Sequence, residues 1–99
     1  MARNIDPAAL STMQRMALMR QAEGTVARDP RNVDALTTLA GLHAVERNFT
    51  TARNLLLKAY AVRKKDPDLL RRLISVCNDL NDLNEARKYA RKAVELEPR

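Results

Sequence analysis

His43 and Cys77 are the single histidine and the single cysteine of this 99-residue chain, and they stand 34 positions apart. A cysteine and a histidine brought together can make an activated thiolate nucleophile. No third orienting group, oxyanion donor or glycine-lined pocket accompanies them here. Two ligands also fall short of a structural zinc site, which takes four. With Gly24 and Gly41 as the only glycines, the phosphate-cradling and dinucleotide-binding patterns are absent. The residues therefore assign no catalytic role, no metal ligand and no cofactor. His43 is expected as a packed, hydrogen-bonded side chain, and Cys77 as a small hydrophobe.

Charge carries more information. The chain has 18 Lys and Arg against 12 Asp and Glu, a net charge of +6. Arg53, Lys58, Arg87, Lys88, Arg91 and Lys92 are read as a solvated surface, with Glu85 near Lys88 and Glu95 near Arg91 as ordinary helix pairs. Arg71 and Arg72 differ, because they lie between Leu70 and Leu73. Two adjacent guanidinium groups can grip a carboxylate or phosphate through paired N–H donors. A protein or peptide partner, acidic in character, is the expected ligand. Nucleic acid is the weaker alternative: positive charge attracts phosphates without regard to sequence, but Phe49, Tyr60 and Tyr89 are the only aromatics available for base stacking.

These side chains must be positioned by helices. Ala, Leu, Arg, Lys and Glu dominate a chain with two glycines and four prolines, a composition that favours helix nearly throughout. Ninety-nine residues allow one domain. No apolar run approaches the roughly 20 residues of a membrane span, the first residues lack a signal-peptide apolar core, and a lone cysteine forms no internal disulfide. A cytoplasmic protein is the expectation.

Sliding the chain against itself by 34 residues aligns Leu36 with Leu70, Leu39 with Leu73 and Leu42 with Val76. Further along, Ala52 meets Ala86, Arg53 meets Arg87, and Ala59 meets Ala93. Leu36, Leu39, Ala40 and His43 have helical spacing on one face, as do Leu70, Leu73, Ile74 and Cys77. Polar breaks follow at Arg47-Asn48 and Asn81-Asp82. Second helices then carry Ala52, Leu56 and Ala59, or Ala86, Ala90 and Ala93. Asn32 and Asp66-Pro67 mark helix starts. Units at 33–66 and 67–99 result. The same period places Leu18, Ala22 and Thr25 under Ala52, Leu56 and Ala59, so a lone second helix is expected at 7–30, starting near Asp6-Pro7.

On these residues the chain resembles the tetratricopeptide repeat (TPR) family: Leu36, Leu39, Ala40, His43, Ala52, Leu56 and Ala59 in one unit, Leu70, Leu73, Ile74, Cys77, Ala86, Ala90, Ala93 and Pro98 in the next. Leucine stands at both tryptophan positions, and Lys64 stands where proline is usual. The resemblance implies an all-α, right-handed solenoid of helical hairpins with about five helices. It also implies a scaffold or adaptor that holds a partner peptide or helix in a concave groove. Arg71, Arg72, Ser75, Asn78 and Asp79 would line that groove from the second unit, and Asp34, Thr37, Thr38 and Gly41 from the first. The family's chaperone-tail site uses a Lys and Asn constellation that Thr38 and Gly41 do not reproduce. Met13, Met16 and Met19 on the N-terminal helix are candidates for self-association, giving a homo-oligomer. The alternative reading is the N-terminal TPR segment of a larger enzyme or assembly protein.

Overall fold

A computed structural model describes residues 10–96. Among them are five α-helices and no strand: α1 (Thr12–Arg28), α2 (Val33–Val45), α3 (Phe49–Val62), α4 (Pro67–Asp79) and α5 (Leu83–Leu96). The extensive packing runs between helices adjacent in the chain: α1 on α2, α2 on α3, α3 on α4 and α4 on α5. The molecule is elongated, 41 × 26 × 23 Å.

Local chemistry fixes the boundaries. Asn32 accepts a hydrogen bond from the Ala35 amide (3.0 Å) at the start of α2. Asp66 accepts one from Asp68 (2.9 Å) at the start of α4, where Pro67 occupies the first turn. Each side chain satisfies an amide that has no partner inside its helix. Both helices end in the same way. Arg47 (φ 64°) and Asn81 (φ 60°) enter the left-handed region. The Asn48 amide then reaches back to His43 O and the Asp82 amide to Cys77 O, both at 2.8 Å. The Arg47 and Asn81 amides bond Ala44 O and Asn78 O, both at 2.9 Å, which completes a Schellman ending for each helix. Asparagine tolerates this backbone, whereas arginine is strained in it. Arg47 makes a compensating contact, its guanidinium lying 5.5 Å from the centre of the Phe49 ring.

The two helix pairs match position for position: α4 and α5 begin and end 34 residues after α2 and α3. The connection from α1 to α2 matches that from α3 to α4 as well. Asp29 N bonds Thr25 O as Arg63 N bonds Ala59 O, and Asn32 N bonds Asp29 O as Asp66 N bonds Arg63 O. Thus the end of α1 and its link to α2 match the end of α3 and its link to α4.

One boundary differs from the expectation. The supposed start at Pro7 lies outside the described residues; within them, α1 begins at Thr12. Ser11 is extended, its hydroxyl accepts from the Gln14 amide (3.2 Å), and the Gln14 side chain accepts from the Ser11 amide (2.9 Å). This reciprocal capping box ends the helix on its N-terminal side.

One contiguous core joins the helices. Leu36, Leu70 and Leu73 are fully buried, and so are Ala52 and Ala59 on α3. The alanines leave room for α3 to approach its neighbours closely. Tyr60 and Tyr89 meet edge to face with centroids 6.1 Å apart, tying α3 to α5. Ala93, at the position on α5 that Ala59 holds on α3, is only partly buried. Ala59→Phe should therefore overpack the core and destabilise by about 1–3 kcal/mol, while Ala93→Phe should cost clearly less. Thermal melts of the two variants beside the parent check this order; equal costs would contradict the packing described.

Candidate partner-binding groove

Where α2, α3 and α4 converge, the surface opens into a cavity of about 150 Å³. Ala40, Gly41 and Ala44 contribute from α2, Leu56 from α3, and Arg72, Ser75 and Val76 from α4. The small α2 residues leave the space; Leu56 and Val76, both buried, give it apolar walls. Arg72 and Ser75 are exposed at its polar side. Gly41, Arg72 and Ser75, three of the residues singled out from the sequence, thus come together in one place.

The remaining candidates are placed elsewhere. Arg71 is exposed on α4 and does not line the cavity, and Asn78 and Asp79 are exposed at the end of that helix. On α2, Asp34 and Thr38 are exposed. The Thr37 hydroxyl donates to its own helix, to Val33 O and Asp34 O at 3.0 Å. Of the methionines, Met13 and Met16 are exposed, while Met19 packs against the core.

Asp68 organises the charge at the groove, a role not read from the sequence. Arg72 Nε donates to one carboxylate oxygen at 3.0 Å, and Arg71 Nη2 approaches the other at 3.4 Å. These are the i,i+4 and i,i+3 separations of a helix surface, so the signal was present in Asp68-x-x-Arg71-Arg72. The Arg72 hydrogen bond holds the Asp68 carboxyl below its ordinary value of 3.8; burial opposes this, and the charges of both arginines add to it. Two guanidinium groups share one carboxylate, which leaves this cluster one positive charge in excess.

Cys77 is fully buried. Burial, with Asp82 beside it, pushes its thiol above 9.0, so it stays protonated at neutral pH. A reactive cysteine needs the opposite shift. His43 is half-buried, and its Nδ1 has no hydrogen-bond partner among the described residues; the hydrogen bond expected of it is not made at that nitrogen. Among the described residues, no three His, Cys, Asp or Glu side chains gather as a metal site, and no helix is long and apolar enough to cross a membrane.

Away from the cavity lining, Arg53 of α3 meets Asp82 at 3.5 Å. Asp82 also caps α5 by accepting from the Glu85 amide at 3.2 Å. Burial, reinforced by the Glu85 carboxylate, pushes the Tyr89 hydroxyl up to about 12.

No protein-family model matches the chain, and no curated protein matches it.

Two measurements check this site. Because the folded Asp68 value is depressed, its ion pairs contribute fully above about pH 4 and fade as pH falls through the lower folded value. Carboxyl NMR titration should show Asp68 moving up toward 3.8 in Arg72→Ala, and moving less in Arg71→Ala. Cys77 should react with an aromatic disulfide reagent far more slowly in the native chain than in urea; equal rates would contradict its burial.

Proposed function

We propose that the chain is a short array of TPR-type helical hairpins that works as a protein–protein interaction scaffold. Its ligand in this reading is a partner segment bearing a carboxylate, held along the face that α2 and α4 share. The observation that carries the proposal is the cavity formed by Gly41, Leu56, Arg72 and Ser75, residues drawn from three helices. It offers an apolar pocket for one side chain, with a guanidinium and a hydroxyl beside it. The matching 34-residue offsets of helices, turns and capping bonds support the hairpin reading.

Mechanistically, the apolar wall supplies burial and Arg72 supplies orientation. A partner carboxylate arriving at Arg72 competes with Asp68, and Arg71 remains to keep Asp68 paired. Binding in this manner needs no rearrangement of the backbone. The long basic side chains also draw acidic segments toward the surface, an attraction that salt screens.

The test is a peptide array in which acidic segments are paired with their amide counterparts, probed with the parent and with Arg71→Glu/Arg72→Glu. The parent should prefer the acids, and the preference should weaken as salt rises. The double variant, melting like the parent, should lose about tenfold or more of the affinity, the scale of charge-assisted hydrogen bonds. Equal binding by a folded double variant would overturn the groove reading.

A further inference from the structure

The outer face of α5 is apolar, basic at its edge, and not covered by any described residue. Val94 is 72% exposed and Leu83 is 53% exposed. With Arg87 and Ala90 they follow spacings of four, three and four residues, which set them on one stripe of the helix. Arg87, Ala90, Arg91, Val94 and Glu95 line an open depression of about 480 Å³ there.

The molecule contains its own example of what such a face accepts. The positions 34 residues earlier on α3 are Arg53, Leu56, Leu57, Tyr60 and Ala61. On α3 most of this face is covered, Ala61 alone of the five being exposed. Leu56 is buried and shares the groove cavity with Val76 of α4, Leu57 and Tyr60 pack against the core, and Arg53 pairs with Asp82 just beyond α4. On α5, Arg87, Arg91, Val94 and Glu95 are exposed and Ala90 is half-buried, and Arg87 stands where Arg53 stands.

We propose that this face of α5 docks an amphipathic, acidic helix from a partner protein, seated as α4 is seated on α3. The occupant presents leucines at three- and four-residue spacing to Ala90 and Val94, and a carboxylate near its C-terminal end to Arg87. Charge selects this occupant over a second copy of the chain. Two α5 faces laid together would bring four arginines against two glutamates, whereas an acidic helix neutralises Arg87 and Arg91. The proposal depends on the positional match between α3 and α5 and is independent of the groove.

The probe is a synthetic peptide of residues 66–82 of this chain, which carries the α4 stripe and Asp82, titrated into the full isotope-labelled protein. Amide shifts should cluster at Arg87, Ala90, Arg91 and Val94. Val94→Asp should abolish binding, Arg87→Glu should weaken it about threefold or more, and the peptide with Asp82→Asn should bind the parent less well. Arg71→Glu/Arg72→Glu should leave it unchanged, which separates this result from the groove test. Shifts centred on α1 or α3, indifference to both α5 variants, or no shifts at millimolar peptide would overturn the proposal. So would a dimer in sedimentation equilibrium that Val94→Asp dissolves, since a second copy would then be the occupant.

Discussion

Each helix of this protein buries its apolar face chiefly against the helices next to it in the chain, and most of its other properties follow from that constraint. Among the described residues, a helix packed between two others can bury two faces, and one packed against a single neighbour can bury one. Accordingly α2 and α4 each place five residues in the core, among them Leu36, Leu39, Leu70 and Leu73, while α1 places only Ala22 and α5 only Ala86 and Tyr89. The junction of α3 with α4 joins the two helix pairs that pack most extensively. Ala52 and Ala59 permit the approach of the helices, and Arg53 reaches across to Asp82 at its rim.

The same constraint accounts for where the candidate groove arises. Successive helices share a core on one side and leave shallow openings where small residues stand opposite one another. Ala40, Gly41 and Ala44 produce such an opening beside α4, and Leu56 closes it from below. Arg72 then supplies direction to an otherwise apolar pocket. Asp68 keeps that guanidinium extended along the helix surface and prevents two adjacent positive charges from simply repelling. Such exposed ion pairs contribute little to folding.

Much of the fold was legible because its signals are local. Helical spacing of leucines, the breaks at Asn48 and Asp82, and the caps at Asn32 and Asp66 each act within a few residues, and each coincides with an observed boundary. The start of α1 was missed for an equally local reason. Asp6-Pro7 looks like Asp66-Pro67, whereas Ser11-Thr12-Met13-Gln14 has the spacing of a reciprocal cap, and that cap sets the boundary. The site was less legible. Periodicity placed Arg72, Ser75 and Gly41 on facing helices, but only packing shows that Leu56 forms the wall between them. The burial that silences Cys77 and the open Nδ1 of His43 likewise depend on neighbours distant in sequence.

The proposed stack should be most stable at its middle and less so outward, as expected when each unit is supported only by its neighbours. Native-state hydrogen exchange measures this directly. The amides of Leu56, Ala59, Leu70 and Leu73, at the α3–α4 junction, should exchange most slowly, and protection should decline outward through α2 to α1 and through α5. Uniform protection along the chain, or the slowest exchange in α1 or α5, would contradict the proposed stack and the readings built on it.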